Sequence, residues 1–433
     1  MRTRVHQKTH LKISNYYSLL RYLTGFGIAR GLLVVSPIFL ANLLPKQVYG
    51  MLEFSQSISA IVAIFISMGS ASLVPLIKIS KIETASWDSV LLHQLVCSTI
   101  LVIAGFILIN FDAVKPVIGL TCLCTSALLL QGFWSVVLKT KGHAEFSLLL
   151  DAGFWIFLML VAFLVSFFSL LSHDLNITIW KDLAVYNALL IGVTGRYVLD
   201  IRLGEAMKGY LMTLRSSLPL MMSSIMTALV STAGRWGIGL ISTLTLTADY
   251  SILYRVASLS IVIHQLTLVR LFPRLFDATY EKLDKMLANI LCLVGLSILI
   301  FWMFIDKVAW IFGPAFVAEF SNHRLDTGMI IVQSILWSAI ALNETVCLRS
   351  QIAGVLAKMG GLYFLLVLPA LFFCLYGREN SLIVFIVAHS ILMLGYFFVQ
   401  IFVISRHRIY ILRTWRTALG LYFLLCVLIW FHS

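Results

Sequence analysis

Thirteen long apolar segments, separated by short polar connections, limit what this 433-residue chain can fold into. Most approach or exceed the length of about 20 helical residues that a hydrocarbon core about 30 Å thick requires. Because unpaired backbone amides are costly in lipid, such segments are expected to be α-helices. We place them at 19–44, 51–77, 89–110, 114–138, 146–171, 182–199, 217–241, 248–272, 286–311, 327–348, 355–376, 381–404 and 414–431. The sequence therefore predicts an all-α polytopic integral membrane protein.

The composition supports this class. Hydrophobic residues make up 60% of the chain and charged residues 12%, whereas a soluble domain has about 25% charged residues. The net charge of +13 is spread over short connections, so it does not indicate nucleic-acid binding. All seven cysteines lie in apolar segments, which predicts buried thiols rather than disulfides or a metal site.

The distribution of lysine and arginine predicts the orientation. With a cytoplasmic N-terminus, 23 of the 32 basic residues fall on the cytoplasmic side, 6 on the opposite side and 3 within spans. A bias of this size supports both the orientation and the number of spans. The first apolar segment is long and lacks a small-residue cleavage site, so we expect it to remain as a span. Thirteen crossings place the C-terminus in the periplasm.

Motifs for chemistry on a substrate are absent from the sequence. The nucleotide-binding pattern G-x-x-x-x-G-K-[ST], the zinc pattern H-E-x-x-H, the nucleophile pattern G-x-S-x-G and the pattern G-x-G-x-x-G do not occur. The connections are also too short to form a folded catalytic domain. We therefore expect no enzymatic activity, no cofactor and no bound metal.

Two stretches about 200 residues apart share one plan. In Tyr22–Pro75 and in Leu211–Pro273, two apolar segments flank a short turn and an arginine lies in the first segment. Arg30 and Arg235 then fall within about one helical turn of each other when the stretches are aligned. Weak internal symmetry of this kind is typical of secondary transporters.

The repeat divides the chain into two lobes. We predict an N-terminal six-helix lobe at 1–200, a cytoplasmic linker at 201–216 and a C-terminal six-helix lobe at 217–404. The remaining residues, 405–433, form a basic loop and a thirteenth helix.

Three arginines inside the spans are the leading candidates for a binding site. Burial of arginine at the centre of a bilayer costs at least about 2.5–3.5 kcal/mol, so Arg30, Arg235 and Arg255 require a watery cavity or a partner. Their planar guanidinium groups suit phosphate, because each can bind two oxygens at once. Two structural alternatives stay open. In the first, the arginine side chains extend to the outer membrane interface. In the second, they form ion pairs such as Arg30 with Glu53 and Arg255 with Asp249.

Polar stripes on two helices accompany these arginines. In the seventh segment the stripe ends in Ser231 and Arg235, and in the second segment it begins at Gln56. We include Gln56 and Ser231 among the substrate-binding candidates. For the serines and threonines alone, close helix packing is the competing interpretation.

Carboxylates and histidines at or within the spans are candidates for ion or proton coupling. We select Asp151 and Glu344 as the coupling-ion candidates. Each member of the set is also consistent with a packing or interface role: Asp151, Asp306, Glu344, His93, His264 and His389.

Over residues 1 to about 404 the chain resembles the polysaccharide transporters of the multidrug/oligosaccharidyl-lipid/polysaccharide exporter superfamily, in particular the Wzx-type O-antigen flippases. The motifs are diffuse, and the repeat of two six-helix halves is more informative than any of them. The residues that carry the resemblance are Ala29-Arg30-Gly31, Leu44–Gly50, Phe54-Ser55-Gln56, Met68-Gly69, Arg235–Gly239, Ala248–Ser251 and Tyr254-Arg255-Val256.

The resemblance implies two lobes around a V-shaped cavity that opens alternately to either side. The implied activity is flipping of an undecaprenyl-pyrophosphate-linked oligosaccharide, an O-antigen or related repeat unit, from the cytoplasmic to the periplasmic leaflet. The implied partners are this glycan, membrane lipid, a polysaccharide polymerase and a chain-length regulator. The thirteenth segment departs from a twelve-helix family member.

Two other functions stay open. A cation or drug efflux transporter of the same fold is disfavoured by three arginines and few carboxylates within the spans. An integral-membrane polysaccharide polymerase or ligase usually carries a long periplasmic loop, whereas the longest outer connection here is about 15 residues, at 312–326.

Overall fold

A computed structural model of the protein describes residues 24–79, 86–110, 116–167, 175–199, 201, 203–262, 264–267, 275, 278–376 and 381–432. Within these ranges the chain is almost entirely helical, and no β-strand occurs in them. The prediction of an all-α protein is confirmed.

Helices of the N-terminal lobe follow one another with short breaks. Their bounds are α1 Thr24–Leu43, α2 Lys46–Ser67, α3 Val74–Ile79, α4 Trp87–Asn110, α5 Pro116–Thr140, α6 Ala144–Asp151, α7 Gly153–Phe167 and α8 Leu175–Val198. A 3₁₀ turn lies between α2 and α3, at Ser70–Leu73. Within this lobe α5 packs against α2, α4 and α8.

The C-terminal part continues in the same way. Its helices are α9 Leu203–Ile241, α10 Leu244–Ala257, α11 Tyr280–Val308, α12 Pro314–Asn322, α13 Arg324–Arg349, α14 Ala353–Leu375, α15 Leu382–Arg406 and α16 Leu412–His432. The described residues of 259–262 and 264–267 are helical as well. In this lobe α13 and α16 pack against each other and against α11, and α15 packs against α13 and α14.

Ten helices of the described chain are long and apolar enough to cross a membrane, and α9 adds an eleventh as a bent span. The protein is therefore a multi-pass membrane protein. The described residues of the other two predicted segments are also mainly helical, and 168–171 lie outside the described residues. The segment predicted at 146–171 is divided at Ala152 into α6 and α7, and the segment predicted at 182–199 belongs to a helix that begins at Leu175.

The second predicted segment, 51–77, ends as a regular helix at Ser67. Met68 and Gly69 follow with φ of 48° and 71°. A helix commonly ends where residues adopt this left-handed conformation, because the carbonyls of the last turn are then satisfied. Gly69 also lies so close to the backbone of Met221 that a side chain there would force a shift.

Helix α9 connects the lobes, and its axis bends by 45° between Ala206–Leu218 and Leu220–Ile241. The sequence has proline at position 219, between these two parts, and proline lacks a backbone N–H for the helix. Residues 203–216, which we expected as a polar linker, are thus helical. The division of the chain into lobes at 201–216 stays a prediction.

The first part of α9 is bound to α4. Ser89 Oγ donates to the Ala206 carbonyl at 2.6 Å, and His93 Nδ1 lies 2.6 Å from the Tyr210 hydroxyl. The second part packs against α10, α14 and α15. One helix therefore contacts both lobes, and its second part also packs against α2 of the N-terminal lobe.

Helices α9 and α10 meet α2 of the N-terminal lobe at close range. Gly50 on α2 lies against the backbone of Leu244, and Gly239 on α9 lies under the ring of Phe54. Small residues let membrane helices approach closely. The lobes are consequently in tight contact at this end, which the predicted orientation makes the periplasmic end.

Candidate functional site

The carboxylate of Glu53 is the centre of a charged cluster between the lobes. Its side chain is fully buried. Tyr49, one turn earlier on α2, donates a hydrogen bond to Oε1 at 2.8 Å. Arg255 on α10 donates from Nε to Oε1 and from Nη2 to Oε2, both at 2.9 Å. Arg235 on α9 donates from Nη1 to Oε2 at 3.0 Å.

Aromatic rings cover both guanidinium groups. Arg255 lies 4.6 Å from the ring centre of Trp155 on α7, and Arg235 lies 5.2 Å from that of Tyr254. Stacking of this kind attracts a cation to the ring face and shields it from water. The arginines are each 7% exposed. The cluster is therefore desolvated, and its electrostatic interactions are strong.

The cluster carries more positive than negative charge, because two guanidinium groups share one carboxylate. The side-chain oxygen of Gln56 accepts a further hydrogen bond from Arg235 Nη1 at 3.0 Å. Arg235 Nε is buried and has no hydrogen-bond partner among the described residues. This arrangement leaves one guanidinium donor of the cluster without an acceptor among the described residues.

The cluster lies inside the span rather than at its surface. Glu53 is seven residues from the start of α2 and Arg235 six from the end of α9, which corresponds to about 10 Å and 9 Å along the helices. Arg255 is eleven residues from the start of α10, or about 16 Å. The ion-pair partner of Arg255 is Glu53. Asp249, which the sequence analysis considered as that partner, pairs with Lys46 instead.

A second inter-lobe contact lies closer to the same end. Lys46 Nζ, at the start of α2, is 2.8 Å from Asp249 Oδ1 and 2.6 Å from Glu319 Oε1. Asp249, Glu319 and His323 have ligand atoms within 4.8 Å of one another, so they could hold a metal ion. The lysine ammonium lies between the two carboxylates, so one positive charge faces two negative charges.

Arg30 has a different setting from the other two arginines. It is partly buried on α1, with its guanidinium 5.5 Å from the ring centre of Phe26. Its assignment to the same cavity stays a prediction. Ser231 Oγ donates to the Ala228 carbonyl of its own helix at 3.2 Å, and the residue lines a small cavity together with Tyr254.

The coupling candidates lie away from the Glu53 cluster in the sequence and have separate partners. Asp151 forms an ion pair with Lys139 at 3.2 Å and is partly exposed. Glu344 on α13 accepts hydrogen bonds from Thr227 on α9 at 3.1 Å and 3.2 Å. Among the described residues, no basic side chain forms an ion pair with Glu344. Coupling through either residue stays a prediction.

Sequence reasoning considered Glu53 only as an alternative partner of Arg30 and did not select it as a site residue. It also missed Tyr49, Trp155 and Tyr254. The available signal was the rarity of carboxylates in the spans, since a buried carboxylate requires a buried cation. The sequence could not show which arginines would reach it.

The fold matches solved membrane transporters at low sequence identity. A structure described as the lipid II flippase MurJ in an inward closed conformation matches with a TM-score of 0.63 and 11% identity, over 94% of this chain and 92% of that one. The MATE multidrug transporter DinF-BH matches with a TM-score of 0.55 and 17% identity, over 90% and 96%. An inward-facing MATE family transporter of the MOP superfamily matches with 0.53 and 14%, over 88% and 96%.

No model of a known protein family matches the sequence, and no curated protein matches it. The comparisons therefore concern the fold. They confirm the predicted MATE-like arrangement of helices, and the fold of the chain is similar to that of these solved transporters.

Proposed function

We propose that the protein is a flippase of the bacterial inner membrane. Its substrate is an undecaprenyl-pyrophosphate-linked oligosaccharide, such as an O-antigen repeat unit, which it moves from the cytoplasmic to the periplasmic leaflet. The observation that carries the proposal is the pair of buried arginines, Arg235 and Arg255, held at the lobe interface by one carboxylate. The protein changes the location of the substrate and makes or breaks no covalent bond in it.

The chemistry of the cluster suits a pyrophosphate. Guanidinium groups bind phosphate oxygens in pairs through parallel hydrogen bonds. Glu53 presents two oxygens to the arginines in the same way, and so occupies the place that the phosphate oxygens would take. Arg30 adds a third positive charge on the substrate path. Gln56 and Ser231 supply neutral hydrogen-bonding groups for sugars.

Exchange of Glu53 for pyrophosphate links binding to movement of the lobes. Glu53 belongs to α2, whereas Arg235 belongs to the second part of the connecting helix α9 and Arg255 to α10. When the substrate takes the arginines, this contact between lobes is lost and the periplasmic end is free to separate. The head group then crosses in the cavity while the lipid tail stays in the bilayer. A ligand can shift the equilibrium between joined and separated lobes only if it binds the state with separated lobes more tightly.

The solved relatives support the substrate class by analogy. One of them is described as a flippase of a lipid-linked molecule, lipid II. Others are described as multidrug transporters, and efflux of a cation or drug is therefore the second candidate function. Glu344 favours it, because a carboxylate with hydroxyl partners in a span is suited to bind a proton or a cation. Under either function Asp151 and Glu344 are the candidates for coupling.

A deletion strain distinguishes the functions. Loss of a flippase stops export after the unit is complete, so the full sugar unit accumulates on its lipid carrier on the cytoplasmic side, without surface polymer. Loss of a polymerase would still let single units reach the cell surface. Loss of a drug transporter would leave surface polysaccharide normal and raise sensitivity to cationic dyes. Single units at the surface would reject the flippase proposal.

The flippase proposal also names partners. A polysaccharide polymerase and a chain-length regulator would act on the unit after it reaches the periplasmic leaflet. Co-purification of either protein with the flippase from detergent-solubilised membranes tests this association.

A further inference from the structure

A cavity separate from the Glu53 cluster lies between α2, α4, α5 and α9. Its volume is about 320 Å³, at the lower end of the range of about 300–1,000 Å³ that ligand pockets occupy. It reaches Ser67 at the end of α2 and Ser224 on α9. In the predicted orientation this is the cytoplasmic side of the interface between the lobes.

The walls of this cavity are neutral. None of its lining side chains in the described part of the chain is charged, and polar groups come from Ser67, Ser72, Gln94 and Ser224. Most of the remaining wall is aliphatic or aromatic. Such a lining would not select a phosphate or a cation, and it suits an uncharged group that has both hydroxyls and apolar faces.

Gln94 gives an independent indication of a ligand. Its side chain is fully buried, and Nε2 donates to Ser70 Oγ at 2.9 Å. Its Oε1 atom has no hydrogen-bond partner among the described residues. If the oxygen and nitrogen of the amide exchange places, the oxygen accepts from Ser70 and the NH₂ group is left without an acceptor. Buried polar groups without partners are rare, and each requires an explanation.

The position of the cavity fits the path of the proposed substrate. Ala60 in its wall lies one helical turn beyond Gln56, which contacts Arg235. A glycan whose pyrophosphate reaches the arginines would therefore have sugars within reach of this cavity on the side from which it enters. We propose that the cavity binds an uncharged sugar residue of the lipid-linked glycan, with Gln94 as a hydrogen-bonding residue; this inference rests on the proposed flippase function.

Gly132 on α5 allows the cavity to be filled. It lines the wall, and a Cβ added there meets no atom within 4 Å. Gly132→Leu should therefore occupy the cavity without displacing backbone. Gly192→Leu on α8 is a matched control, because Gly192 is exposed, has the same open surroundings and lies outside the cavity. Gln94→Leu removes the amide at similar size.

The experiment measures binding of two lipids to the purified, detergent-solubilised protein. One is the sugar-bearing lipid extracted from the deletion strain, and the other is undecaprenyl pyrophosphate without sugar. We expect Gly132→Leu and Gln94→Leu to weaken binding of the sugar-bearing lipid about tenfold, or by about 1.4 kcal/mol, and to change binding of the bare lipid less than about twofold. Gly192→Leu should bind both lipids as the wild type does.

Other outcomes reject the inference in distinguishable ways. Equal loss of both lipids in Gly132→Leu would show that the cavity contacts the lipid tail or supports the fold. Unchanged binding of both lipids in this variant would show that the cavity takes no part. If the wild type binds neither lipid, the flippase proposal itself fails and the sugar site fails with it.

Discussion

Oε2 of Glu53 on α2 lies 3.0 Å from Nη1 of Arg235 on α9, across the interface between the lobes. This ion pair joins the first part of the chain to the second, and the guanidinium of Arg255 strengthens it from α10. Arg235 retains an unpaired Nε among the described contacts. The same residues that hold the lobes together therefore carry an excess of positive charge and an unused donor.

Removing the charge of Glu53 should increase the affinity for pyrophosphate. In Glu53→Gln the carboxylate no longer competes for Arg235 and Arg255, so inorganic pyrophosphate should bind about tenfold or more tightly. Isothermal titration calorimetry of the purified protein measures this change. Asp306→Asn is the control, since Asp306 pairs with Arg324 at an exposed position. Unchanged or weaker binding in Glu53→Gln would contradict the exchange mechanism.

Replacing the arginines should stop export without loss of the protein. We expect Arg30→Ala and Arg235→Ala to abolish surface polymer while the protein stays in the membrane. Because Arg235→Ala also breaks the buried pair with Glu53, export is compared at matched abundance of each variant. Lysine at either position should restore part of the export, because it keeps the charge but cannot bind two oxygens through one planar group. Normal export by either alanine variant at wild-type abundance would remove that arginine from the substrate path.

Breaking the buried pair should lower stability more than breaking an exposed one. Arg255→Ala removes two hydrogen bonds from the buried carboxylate of Glu53, and a hydrogen bond to a charged group contributes about 1.5–3 kcal/mol. Arg324→Ala breaks an exposed pair with Asp306, for which about 0–1 kcal/mol is expected. Thermal unfolding in one detergent compares the two variants. A larger decrease of Tm in Arg324→Ala would show that the Glu53 cluster contributes little to the fold.

Close contact of α2 with α10 depends on Gly50. A Cβ at this position would meet the carbonyl of Leu244, so Gly50→Ala should keep the periplasmic ends of these helices apart. Gly31→Ala on α1 is the control, because a Cβ there meets nothing within 4 Å. Labelling of a cysteine at Gln56 by a membrane-impermeant thiol reagent should rise in Gly50→Ala alone. Equal labelling of both variants would show that the contact does not close the cavity.

The position of the C-terminus tests the number of crossings. Helix α16, Leu412–His432, is long and apolar enough to span the membrane, and thirteen crossings place Ser433 in the periplasm. An alkaline phosphatase fused after Ser433 should therefore be active. Activity of a cytoplasmic reporter at this position, with an inactive phosphatase, would mean that α16 does not cross.

Local features of the sequence were sufficient to predict which segments form helices. The apolar length of each segment predicts a span, since a backbone in lipid has to satisfy its own hydrogen bonds. The first and last residues of each helix depend on local backbone conformation, and the predicted helix ends were less accurate. The left-handed residues Met68 and Gly69 end α2 before its apolar run ends, and residues 203–216 extend α9 because their polar side chains are also compatible with a helix.

The sequence by itself determined that the chain crosses a membrane as helices and that three arginines in its spans need partners, because both follow from the cost of placing polar groups in lipid. Only the tertiary structure decided which partners these are. Glu53 and Arg255 are separated by 202 positions, and local periodicity gives no distance between residues so far apart. The packing of α2 against α9 and α10 sets that distance. It makes one carboxylate the shared partner of two arginines, since a buried charge is stable only where an opposite charge is held beside it.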